Sequence, residues 1–139
     1  MNNFVTLEQA KILKEIGFNI ITEHIYDSGK ISAVDILSFL NSSKKDNCFP
    51  APRYRELVKW FYNEKGLWIT TKPYVFENED KSVSVDYRYC VYDTRDYAYD
   101  AKTGTYKMTI IYAGSMFKTP DEAIFDAIDN ILEYLKDKR

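Results

Sequence analysis

The chain has 139 residues with 19 basic and 21 acidic side chains, a formal net charge of −2. That length suits one domain with a core of its own, and the charge lacks the basic excess of a dedicated nucleic-acid binder. Two cysteines, no CxxC pair and a single histidine exclude the common zinc and dithiol motifs and a disulfide-dense scaffold.

Free thiols in a reducing compartment are the expectation for Cys48 and Cys90. No charged stretch followed by an apolar run opens the chain, so no signal peptide is expected. No apolar run approaches the ~20 residues that span a bilayer. A cytoplasmic location with no membrane partner is therefore the expectation. Aromatics make up 16% of the chain, and 12 of them are tyrosines. Tyr pairs an apolar ring with a polar tip, so this richness points to half-buried strands and interfaces.

Thr6-Leu7-Glu8-Gln9 reads as a capping box. Leu7, Ala10, Leu13 and Ile16 recur at helical spacing, which predicts a helix over 7–16 ended by Gly17. Residues 20–26 are rich in β-branched and aromatic side chains, and Asp27-Ser28-Gly29-Lys30 is a turn, so a short hairpin or single strand is expected. Ser32 is the expected cap of a helix over 33–40, with Asp35 at its third position. Residues 41–47 form a polar loop and the best hinge candidate. Pro52 suits the first turn of a third helix, whose face is Tyr54, Leu57, Val58 and Phe61. Gly66 stops it.

Residues 67–76 read as a strand, with Pro73 consigning it to an edge or bulge. After an acidic turn, alternation from Ser82 to Asp93 predicts the clearest strand, with Val83, Val85, Tyr87, Tyr89 and Val91 on one face. Residues 94–103 read as a polar, Tyr-rich connection. A third strand then carries Tyr106, Met108, Ile110 and Tyr112 on one face until Gly114-Ser115 breaks it. Thr119 caps the last helix with Pro120 in its first position. Ile124, Ile128, Ile131 and Leu135 line its apolar stripe.

The resulting fold class is α+β: a three- or four-stranded antiparallel sheet with helices packed on one face. The organisation is a single domain, with residues 1–47 as a helix-and-hairpin extension and 48–139 as an α-β-β-β-α core. Expected core residues are Leu7, Leu13, Leu57, Phe61, Val85, Tyr87, Ile110, Ile124, Ile128 and Leu135.

The run Val5-Thr6-Leu7-Glu8-Gln9-Ala10-Lys11 with Gly17-Phe18, then Pro50-Ala51-Pro52 with Trp60-Phe61, then Thr119-Pro120-Asp121-Glu122-Ala123, resembles small uncharacterised proteins encoded by phages and mobile elements of gut Bacteroidetes. The resemblance implies a setting, in a bacterial host, and no mechanism. The α-β-β-β-α order also looks like the double-stranded-RNA-binding fold. Such domains set cations at the start of the last helix to hold phosphates. Here Lys118-Thr119-Pro120-Asp121-Glu122 sets two carboxylates there, which argues against nucleic acid as a partner.

No catalytic set emerges. His24 has no second histidine and reads as structural, and neither thiol has a base at hand. The carboxylates Glu77, Glu79 and Asp80, and Asp93, Asp96 and Asp100, read as solvated turn residues, and the calcium-loop pattern is absent. No metal, no cofactor and no enzymatic activity are expected.

One constellation stands out: Arg88, Tyr92, Arg95, Tyr97 and Tyr99, on and after the central strand. Guanidinium groups beside aromatic faces can stack bases and hold a phosphate, or anchor a protein interface. Cross-strand Tyr packing with surface arginines is the plainer reading. The expected function is a non-catalytic accessory protein that binds another protein or itself. The alternatives are a small-nucleotide-binding protein that sequesters a signal, and a degenerate RNA-binding domain.

Overall fold

In the computed structural model, which describes residues 3–138, the chain divides into two compact units. One comprises Met1–Leu57 with Ile131–Arg139, the other Val58–Asn130. The division falls within two helices, because α3 (Tyr54–Lys65) and α4 (Pro120–Asp137) each contribute residues to both units.

The first unit opens with α1 (Leu7–Glu15), whose capping box forms as the sequence predicts: Gln9 N–H donates to the Thr6 hydroxyl, and Thr6 N–H donates to the Gln9 side chain. Gly17 follows with φ +87°, the left-handed conformation that closes a helix and that glycine adopts without strain. The hairpin pairs β1 (His24–Asp27) with β2 (Lys30–Ala33) through Ser28-Gly29, both at positive φ. Two left-handed residues are what a two-residue hairpin turn demands.

This hairpin does not join the large sheet. β1 pairs on its other side with β3 (Cys48–Pro50), giving a small antiparallel sheet in the order β2-β1-β3. α2 (Ile36–Ser42) begins later than the sequence suggests. β2 holds the backbone extended through Ala33, so Asp35 and not Ser32 becomes the cap, accepting from Ser38 N–H at 2.7 Å. Two residues of the polar 41–47 segment are thereby helical. Val5, Ala10 and Leu13 are fully buried. Tyr54 donates its phenol to Gln9 at 2.8 Å, and Tyr26 donates to the Val5 carbonyl at 2.7 Å.

α3 starts at Tyr54, so Pro52 precedes the helix, and Glu56 reaches back to accept from Arg53 N–H at 3.1 Å. Gly66, with φ +67°, ends it. The second unit is then built on a three-stranded antiparallel sheet in the order β4 (Leu67–Glu77), β5 (Val83–Asp100), β6 (Thr105–Phe117). β4 is an edge strand, as Pro73 requires. The α+β class with an antiparallel sheet is thus realised as four helices and two three-stranded sheets.

One face of the large sheet is inside. Leu67, Ile69, Tyr89 and Val91 are buried on it, and Tyr89 donates its phenol to Asp126 of α4 at 2.7 Å. Phe61, Ala123, Ala127 and Ile128 from the helices are fully buried. Thr119 caps α4 by accepting from Glu122 N–H, and Glu122 accepts from Lys118 N–H, both at 3.1 Å.

Three strand expectations are corrected. First, residues 94–100 are strand and not connection. β5 continues to Asp100 because the register skips residues 94–96 between Asp93 and Tyr97, after which Tyr97 pairs with Met108 and Tyr99 with Tyr106. The stretch reads as a loop because residues 95–99 are exposed on both sides, so no apolar alternation marks it.

Second, β6 passes straight through Gly114-Ser115. Tyr89 pairs with Gly114 and Tyr87 with Phe117, and the extra residues bulge out with Met116 at φ +71°.

Third, the core set changes. Leu13, Leu57, Phe61 and Ile128 are fully buried, and Leu7, Tyr87, Ile124 and Leu135 are half-buried. Ile110 is 51% exposed and Val85 44%. A one-residue register shift at Ile111 sets Tyr112 opposite Val91, on the inner face, and Ile110 opposite Tyr92, on the outer one. The sequence alternation puts both on one face. Val85 keeps its face but lies beyond the Tyr87–Phe117 row, where the chain leaves β6 for α4.

Candidate functional site

Period-two alternation and the pairing register fix what the outer face of the large sheet carries. From β4 come Trp68, Thr70, Lys72, Tyr74 and Phe76. From β5 come Arg88, Cys90 and Tyr92, then Tyr97 and Tyr99 past the bulge. From β6 come Tyr106, Met108, Ile110 and Ala113. Exposure runs from 37% at Phe76 to 70% at Tyr106 among Trp68, Tyr74, Phe76, Tyr97, Tyr99 and Tyr106, and Tyr92 is half-buried.

Four of the five residues singled out from the sequence lie on this face, and they fall into two groups. Tyr97 and Tyr99 flank Tyr106, both edge-on, with ring centroids 5.8 and 5.3 Å away. Met108 and Ile110 continue the patch along β6. The hairpin beneath is pinned by Lys107, which pairs with Asp100 at 3.0 Å, while Asp100 also accepts from Lys102 N–H at 2.9 Å. These two contacts hold the Asp100 carboxyl below its ordinary range, Lys107 first.

Arg88 and Tyr92 belong to the other group, around a depression of about 240 Å³. The Arg88 guanidinium sits 3.8 Å from the centre of the Tyr74 ring, a cation–π contact that fixes its direction. Lys72 is its direct cross-strand partner.

Arg95 departs from the group. Its guanidinium turns to the C-terminus of α3 and donates to the carbonyls of Glu64 at 3.2 Å and Asn63 at 3.5 Å. Helix C-termini carry unpaired carbonyls and partial negative charge, and a cation there is stabilising. Arg95 is a helix cap. The sequence could not reveal this, because Arg95 is distant from residue 64 along the chain and reaches it only through the β4–β5 pairing.

Sequence reasoning missed Lys72, Trp68, Tyr106 and Met108 as parts of this face. The signal lay in the alternation of β4 and β6, but their register against β5 was needed to bring them together.

The remaining candidates are structural in their contacts. The His24 ring packs on Phe4 with centroids 4.4 Å apart. Cys48 is buried, and burial raises its thiol pKa, with Asp27 adding to the effect. Both cysteines are free. Asp80 accepts from Ser82 N–H at 3.0 Å and Asp93 from Arg95 N–H at 3.0 Å, the usual work of Asp in turns. Among the described residues no three His, Cys, Asp or Glu side chains converge as metal ligands. No helix among them is long and apolar enough to cross a membrane.

Comparison with family models, with curated proteins and with solved structures gives no match. The geometry of the open face therefore carries the functional reading by itself.

Proposed function

We propose that the protein is a non-catalytic accessory protein of a phage or mobile element that acts in its host's cytoplasm by binding a protein partner, or a second copy of itself, through the outer face of the large sheet. The observation that supports this is the uncovered aromatic surface. Trp68, Tyr74, Phe76, Tyr97, Tyr99, Tyr106, Met108 and Ile110 are all more than a third exposed on one face.

Aromatic side chains bury about 150–250 Å² each. At the fractions seen, the eight residues offer roughly 800 Å², about what each partner contributes to a standard-size interface. The largest apolar patch on an ordinary monomer is about 300–600 Å². Tyr-rich composition with an arginine fits the residue types that dominate interface energetics. The genetic setting rests on the sequence resemblance alone.

The test is solution mass by light scattering across a concentration series, with a pull-down from host lysate if the protein is monomeric. The triple variant Tyr97→Ser/Tyr99→Ser/Tyr106→Ser should return an oligomer to monomer, or abolish capture, with the fold retained by circular dichroism. Unchanged assembly or capture in that variant, with Trp68 and Tyr74 also substituted, would remove the face from consideration.

The small-nucleotide alternative draws support from Lys72 and Arg88 standing side by side on the same face. RNA binding draws less. The helix start that would hold phosphate carries Asp121 and Glu122, and few cations accompany the aromatics.

A further inference from the structure

The outer face is not uniformly bulky. Its middle row consists of Thr70, Cys90 and Ala113, with Cys90 the cross-strand partner of both others, and all three are small. The next row toward the β4–β5 turn holds Lys72 opposite Arg88. The next row the other way holds Trp68, Tyr92 and Ile110. Small residues between two tall rows make a saddle, and its β4–β5 part, Thr70, Lys72, Arg88, Cys90 and Tyr92 together with Tyr74, lines the depression of about 240 Å³.

The cationic wall costs stability. Like charges directly opposite on adjacent strands repel, and no carboxylate among the described residues makes a salt bridge with either one. Asp86 lies on the same face as the cross-strand partner of Tyr74, one row beyond Arg88 and away from the saddle floor, and it pairs with neither cation. Tyr74 holds the Arg88 guanidinium in place at 3.8 Å, so the donor fork is oriented before any anion arrives. Arg and Lys together suit a phosphate.

Opposite that wall stands Tyr92, whose ring offers a stacking surface to a base, while Trp68 in the same row packs edge-on against Tyr62 of α3, with centroids 5.1 Å apart. The floor adds the Thr70 hydroxyl and the Cys90 thiol as small polar groups. We infer that this saddle binds a nucleoside monophosphate, with the phosphate on Lys72 and Arg88 and the base over Thr70 and Cys90 against Tyr92. The inference rests on the reading of the outer face as a binding surface and names a small-molecule ligand within it.

The experiment is an amide-resolved NMR titration of the full chain with AMP, with adenosine and inorganic phosphate as half-ligands, and light scattering on the same samples. The expected result is saturable shifts centred on Cys90, Tyr92 and Ala113, with AMP at least about tenfold tighter than either half-ligand. The Lys72→Thr/Arg88→Thr variant should lose that preference and bind AMP no better than adenosine. Because the wild-type comparison of three ligands needs no variant, a folding defect in the double variant does not blunt the test.

Absence of saturation at millimolar AMP overturns the inference, and so does phosphate binding as tightly as AMP. A ligand-independent oligomer that shows no AMP shifts overturns the saddle while leaving the interaction face standing. A monomer that binds AMP in the stated pattern supports the saddle even if no protein partner is found.

Discussion

Gly114 lies directly opposite Tyr89 in the β5–β6 ladder, and the Tyr89 ring fills the space where a side chain at 114 would begin: a Cβ built on Gly114 comes within 2.8 Å of the ring carbon that bears the hydroxyl. The ring crosses the neighbouring backbone to reach Phe117, with centroids 5.8 Å apart. Its hydroxyl donates to Asp126 and accepts from Asn130 at 2.8 Å. One glycine therefore lets a strand residue lock the sheet to α4.

Gly114→Ala should destabilise the protein by about 1–3 kcal/mol, the usual cost of forcing a methyl into a filled site. Urea denaturation measures it. A loss below about 0.5 kcal/mol would mean the Tyr89 ring moves aside freely, and the lock is not one.

Tyr89→Phe removes the hydroxyl and leaves Asp126 and Asn130 with each other, at 3.3 Å. The loss should be about 1.5–3 kcal/mol, the range for hydrogen bonds to a charged group. Burial, and then the bond to Asp126, pushes the Tyr89 phenol up from its ordinary 10 to about 12. The folded state thus keeps a proton that the unfolded chain gives up. This contribution is fully present below pH 10 and is lost as pH rises from 10 toward about 12. Unfolding free energy followed over that window should fall more steeply in the wild type than in Tyr89→Phe. Parallel curves would refute the assignment.

Arg95→Ala should cost about 0.5–1 kcal/mol through the C-terminus of α3. It should leave solution mass and AMP titration untouched, because its guanidinium points away from the outer face. If binding of either kind falls in this variant, the separation of Arg95 from Arg88 and Tyr92 is wrong.

Thr6→Ala should cost about 1 kcal/mol, the typical worth of an N-cap. Thr6→Ser should recover most of it, since the acceptor oxygen toward Gln9 returns. Thermal denaturation of the two variants side by side checks this. Equal losses would implicate the Thr6 methyl and not its oxygen.

Local chemistry was legible from the residues themselves. Thr6 with Gln9, Ser28-Gly29 in the hairpin turn, Gly66 after α3 and Thr119 with Pro120 each act within a few residues of chain, so sequence spacing alone states their geometry. Pro73 likewise announced an edge strand or a bulge, since a residue without an N–H cannot serve a central ladder, and the strand order β4-β5-β6 makes it the edge. The α+β class followed from helical and alternating periods laid end to end.

What the sequence could not state was phase. Register shifts at Ile111, at residues 94–96 and at Ser115-Met116 each change which face a residue occupies, and a one-residue slip turns every following side chain over. That is why Ile110 reads as core and lies outside. Residues 94–100 read as loop for a second reason, since 95–99 are exposed on both sides, and Gly114 reads as a break when it is the seat of the Tyr89 ring. The candidate face depends on the same shifts. Arg88, Tyr92, Tyr97 and Tyr99 could be named from their chemistry. Only pairing across three strands added Lys72, Trp68 and Tyr106 to them and took Arg95 away. Caps and turns are short-range and are written in consecutive residues. A binding face is a sum over strands, fixed by ladder hydrogen bonds and bulges that answer to packing against the helices.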